Sequence, residues 1–117
     1  DSTNAPVDAE KLEELIDLFG DREEVKDLFN EFFDELPSRL QTLRTGLETG
    51  APEQIDQAAH ALKGSSASLG AMQVQAAALA LEADARSQQL DDAPSHLAQL
   101  EAELEILQNW LRESGLL

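Results

Sequence analysis

Apolar residues recur along the whole chain at spacings of three and four. No stretch sustains an alternation of period two, and β-branched residues are sparse. Leu12, Leu15, Ile16 and Phe19 predict a short first helix, with Asp8 as its N-cap and Gly20 as its stop. Asp21, with Glu24 three residues on, makes a capping-box-like start for a second helix. The stripe of that helix runs through Val25, Leu28, Phe29, Phe32, Phe33, Leu36, Leu40, Leu43 and Leu47. Pro37 interrupts it and is expected to kink the helix, because proline lacks a backbone donor and crowds the preceding turn. Gly50 ends the second helix, and Pro52 sits where a first-turn proline is tolerated. A third helix carries Ile55, Ala58, Ala59, Leu62, Ser66 and Leu69, and breaks at Gly70. A fourth, Ala-rich helix is expected from about Ala71 to Gln89, with Met72, Val74, Leu79 and Leu81 as its larger apolar residues. After the turn Asp91-Asp92-Ala93-Pro94, a fifth helix places Leu97, Leu100, Leu104, Leu107 and Leu111 in alternating steps of three and four, flanked by Ile106 and Trp110.

Breaks this short make neighbouring helices antiparallel. The second to fifth helices are long enough to run the length of a bundle, and the first is not. The predicted fold is therefore all-α: an antiparallel up-down-up-down four-helix bundle with a short additional N-terminal helix. Residues 1–6 are set aside as a tail, disordered or foreign to the fold, and residues 7–117 are read as a single domain. The length of 117 residues suits one core. The first six residues lack a basic n-region and an apolar h-region, so they do not read as a signal peptide. They also lack an initiator Met, which suggests a piece of a longer chain. The longest uncharged run, Gly64 to Leu81, contains Ser65, Ser66, Ser68, Gln73 and Gln75, and is too polar to span a bilayer.

Charge narrows the function. The chain has 24 Asp+Glu against 8 Lys+Arg, a formal net charge of −16. Such a surface repels phosphate backbones and anionic lipid, which argues against nucleic-acid binding and membrane contact. The absence of cysteine rules out a disulfide, a thiolate nucleophile and a Cys-ligated metal.

Two histidines remain as candidate chemistry. His96 falls in the first turn of the last helix, near an acidic turn, and reads as an ordinary solvated residue. His60 is different. With Leu62 at the centre of the third helix's apolar stripe, His60 lies about 160° away, nearly opposite the core. Asp56, Lys63, Gly64 and Ala67 share that outward half. A glycine inside a helix costs about 1 kcal/mol relative to alanine, so Gly64, one turn beyond an outward histidine, implies close approach by another molecule. An imidazole with the ordinary pKa of about 6.5 is a competent nucleophile at cellular pH. Lys63 at i+3 can supply positive charge to the equatorial oxygens of a phosphoryl group in transfer. Glu82 and Arg86, at i and i+4 on the next helix, leave two readings open. They form an exposed helical ion pair, or else they join the histidine, Glu82 orienting the ring and Arg86 adding a second charge. A carboxylate-bridged metal bundle would need Glu-x-x-His on two helices; Gln57 and Ala93 stand three residues before the histidines, so that motif is absent.

The run Ala59-His60-Ala61-Leu62-Lys63-Gly64-Ser65-Ser66-Ala67-Ser68-Leu69-Gly70-Ala71 closely resembles the signature of histidine-containing phosphotransfer (HPt) domains, the His-to-Asp relay modules of multistep two-component signalling. The segments Phe29–Pro37 and Leu81–Arg86 also look like their family counterparts. The resemblance implies that His60 is the phosphoacceptor through Nε2, that Lys63 assists the phosphoryl group, and that Gly64 keeps the surface open for a docking receiver. It implies that Glu82 orients the imidazole and that Arg86 matches a basic residue found in some members. It further implies a phosphocarrier without kinase or phosphatase activity and without a cofactor of its own, the Mg²⁺ belonging to the partner receiver. The expected partners are response-regulator receiver domains, with a hybrid sensor histidine kinase as a further candidate, and the expected setting is a cytoplasmic monomer. Leu12, Ile16 and Phe29 are candidates for the docking surface. The phosphoacceptor domain of a chemotaxis-type histidine kinase shares fold and chemistry, but tends toward glycine where this chain has Ser65-Ser66-Ala67-Ser68. A structural or adaptor bundle without phosphoryl chemistry would have no use for Gly64.

Overall fold

The computed structural model describes residues 5–117, and among them all regular structure is helical. Five helices follow one another: α1 (Ala9–Phe19), α2 (Arg22–Thr49), α3 (Pro52–Ser68), α4 (Met72–Ser87) and α5 (Ala93–Glu113). Residues 1–4 of the expected tail lie outside the described residues. Of the rest, Ala5 is half-buried and Pro6 is buried, as is Val7. The packed chain thus starts ahead of residue 7, because Pro6 has apolar surface to bury.

The helix ends follow local chemistry. The Asp8 carboxylate accepts a hydrogen bond from the Glu10 backbone N–H at 3.1 Å, and Asp21 accepts from Glu24 N–H at 2.9 Å. Pro52 and Pro94 stand in the first turns of α3 and α5. Pro37 lies exposed within the unbroken helical run of α2. The fourth helix stops at Ser87, short of the expected Gln89, because Gln88 turns left-handed with φ 59°.

The 28 residues of α2, at about 1.5 Å each, account for the 43 Å long axis of the molecule. The later helices pack in sequence order, α2 on α3, α3 on α4 and α4 on α5, while α5 returns to touch α2 and α1 lies against α2. Phe29, Leu43, Ile55, Leu62, Leu81, Leu100, Leu107 and Leu111 are sealed inside. The contact between α3 and α4 is the most extensive. Both helices bury small residues, among them Ala59 of α3 and Ala78 and Ala85 of α4, and small side chains let helix axes approach closely. Gly46 performs a similar service between α2 and α3: a Cβ there would sit 2.8 Å from Ile55 Cγ1. At the corner between α3 and α4, Gly70 has φ +75° and its carbonyl accepts from the Asp8 backbone N–H at 2.9 Å. That bond fastens the start of α1 to this corner.

Some expected apolar positions are not core. Phe19, Met72, Leu79 and Ile106 are all exposed. No helix among the described residues is long and apolar enough to cross a membrane.

Candidate functional site

The site forms where the Ala-rich faces of α3 and α4 meet. Helix α3 presents Asp56, His60, Lys63 and Gly64 on its outward side, while α4 brings Glu82 and Arg86 to the same seam. Glu82 is the centre of the arrangement. Its side chain is only 3% exposed, and it sits in a helix whose neighbouring positions Ala78, Leu81 and Ala85 are all buried. An ionised carboxylate so placed needs partners to offset its lost hydration. It has three: Lys63 Nζ donates to Oε1 at 2.7 Å, Arg86 NH2 donates to Oε2 at 3.1 Å, and His60 Nδ1 lies 2.6 Å from Oε2. The Lys63 hydrogen bond holds the Glu82 carboxyl below the usual carboxylate range against the upward pull of burial. The hydrogen bond from His60 and the charges of Arg86 and Lys63 add to the lowering.

The protonation of the ring follows. A carboxylate kept ionised can only accept, so the neutral imidazole carries its proton on Nδ1 and donates it to Glu82. Nε2 keeps its lone pair, and among the described residues it has no hydrogen-bond partner. The His60 side chain is 62% exposed, as its position on the wheel predicts. One turn on, a methyl group added at Gly64 would meet nothing within 4 Å. The arrangement is a nucleophilic nitrogen in an unobstructed niche, with two cations held on the carboxylate behind the ring.

His60, Lys63, Glu82 and Arg86 thus come together, with Gly64 beside them. The reading of Glu82 and Arg86 as an exposed pair is overturned by the burial of Glu82. Lys63, expected beside the reacting nitrogen, places its ammonium on Glu82 instead. Sequence reasoning missed one participant. Asp56, one turn before His60, reaches across the seam and accepts from Arg86 Nε at 3.3 Å. Its only signal is its place on the outward half of α3, which any solvated charge would share. His96 also departs from its reading as an ordinary solvated residue: it is half-buried, with Nδ1 hydrogen-bonded to Asp84 of α4. Phe29 is fully buried and so is unavailable for docking, whereas Leu12 and Ile16 are half-buried.

The sequence model of the Hpt domain matches residues 27–110, a span that contains every residue of this site. The chain belongs to the Hpt family. The Hpt match leaves out α1, but the structural likeness takes it in. The crystal structure of histidine-containing phosphotransfer protein B (HptB) from Pseudomonas aeruginosa PAO1 aligns with a TM-score of 0.84 at 26% identity, over 94% of this chain and 95% of that one. A search of curated protein sequences gave no match. Histidine phosphotransfer within a phosphorelay is the function of this Hpt domain.

Proposed function

We propose that His60 is the phosphoacceptor, taking a phosphoryl group from the aspartate of one receiver domain and passing it to another. The observation that carries this reading is the buried Glu82 carboxylate, which pins the proton on Nδ1 and leaves Nε2 free on an exposed ring. In the forward step the Nε2 lone pair attacks phosphorus in line. The bond from phosphorus to the aspartyl oxygen breaks, and its electrons stay with the receiver's carboxylate. The ring keeps its Nδ1 proton and becomes cationic, and Glu82 offsets that charge. As the ring takes up Glu82, Lys63 and Arg86 become available to the phosphoryl oxygens. Gly64 leaves room for the receiver, which brings the Mg²⁺. The Hpt domain acts as a carrier, with no kinase or phosphatase activity and no cofactor of its own.

A groove of about 230 Å³ lined by Leu28, Glu31, Phe32, Glu35, Ser65, Ser68 and Leu69 lies toward the C-terminal end of α3, and supports docking of a receiver on this side. The breaks between α2 and α3 and between α3 and α4 are only a few residues long, which favours an antiparallel up-down-up-down order for α2 to α5. A cytoplasmic monomer serving receivers, one of them within a hybrid sensor histidine kinase, fits the family.

The test is phosphotransfer from a receiver domain loaded with acetyl phosphate in the presence of Mg²⁺. Acid-labile, base-stable label is expected on the wild-type chain. His60→Gln should reduce it to background with helix content unchanged by circular dichroism. Label that persists in His60→Gln, or that maps to His96, contradicts the assignment.

A further inference from the structure

Asp56 is the one charged residue of the site with no hydrogen bond to His60 or Glu82. Its carboxylate holds Arg86 through Nε while the other end of the guanidinium rests on Glu82. Both partners are well exposed, at 37% for Asp56 and 59% for Arg86, and the contact is long for a charged hydrogen bond. A pair of this kind stabilises little and breaks at little cost.

Charge counting shows what such a pair does. At rest the carboxylates of Glu82 and Asp56 are matched by Lys63 and Arg86, with the imidazole neutral. Transfer to Nε2 adds a dianionic phosphoryl group while the ring, keeping its Nδ1 proton, gains one positive charge. The site is then one negative charge in excess. The cationic ring offsets Glu82 in place of Lys63 and Arg86, but Asp56 still competes with the phosphoryl oxygens for Arg86.

We propose that Asp56 is a positioning residue that holds Arg86 away from the phosphoryl position and so sets how strongly His60 retains the group, keeping it easy to hand on. The inference rests on His60 being the phosphoacceptor.

Phosphoramidate serves as the probe because it needs no protein partner. Nε2 attacks phosphorus, the P–N bond of the donor breaks, and ammonia leaves. With ammonium at a fixed concentration the reaction is reversible, and ³¹P NMR reads the ratio of phosphorylated to free protein. Asp56→Asn should raise that ratio by about twofold to fivefold, the size expected of one exposed charge pair. Asp56→Glu should return it toward wild type. In an Arg86→Ala background the Asp56→Asn gain should fall by at least half, since the residue that Asp56 holds is gone. A lower or unchanged ratio in Asp56→Asn, or a gain of the same size without Arg86, overturns the positioning role. Failure of the underlying reading looks different: the wild-type chain takes no label, or His60→Gln keeps it.

Discussion

At Gly64 the chain gives up helix stability for access. The residue lies in helical backbone with open space where a side chain would be, so nothing inside the molecule requires glycine there. Gly64→Ala should therefore raise stability by up to about 1 kcal/mol in urea unfolding. Gly64→Gln should slow transfer from a receiver domain while phosphoramidate labelling, which involves no docking protein, is retained. Equal loss in both assays would place the role of Gly64 at the ring itself rather than at the partner. Lys63 shows the limit of reading one residue at a time. Its spacing from His60 announced a cation near the ring, but spacing along one helix says nothing of a buried acceptor on the next. That acceptor, Glu82, draws the ammonium inward.

Between elements, α5 and α4 show when a pattern is legible. The five leucines of α5 form a narrow stripe of bulky side chains and all are buried, since only one face of that helix can hide them. In α4 alanine is spread around the axis and no face stands out. Of its four larger apolar residues, Val74 and Leu81 are buried but Met72 and Leu79 turn out exposed, while Glu82 is sealed. An alanine-rich helix is free to turn almost any side inward, and the choice is made by what its neighbours bring. Here α3 brings His60 and Lys63 to Glu82. Close helix approach is equally silent in the sequence: nothing in the apolar pattern singles out Gly46, but Ile55 leaves no room for a methyl group. Gly46→Ala should destabilise the fold by about 1 to 3 kcal/mol, as overpacking does, with the loss read from denaturant unfolding. A neutral or stabilising result would show that α2 and α3 can separate at no cost.

Over the whole molecule, a net charge of −16 is held on a body measuring 43 × 26 × 20 Å. At about 10 mM salt the screening length is roughly 30 Å, so like charges repel across most of the body; at about 150 mM it is roughly 8 Å. The melting temperature should rise by a few degrees between those conditions, followed by circular dichroism. A fall would mean that the ion pairs outweigh the repulsion.

Helix α4 bears two carboxylates, Glu82 and Asp84, set about 200° apart around its axis. Each grips an imidazole from a different neighbour, His60 of α3 and His96 of α5. Alanine side chains, which end at Cβ, resist the roll of a helix poorly, and Val74 and Leu81 are the only bulky apolar anchors that α4 buries. These two opposed clasps act as detents on that roll. The angular setting of α4 in turn fixes where the Glu82 carboxylate meets the imidazole of His60.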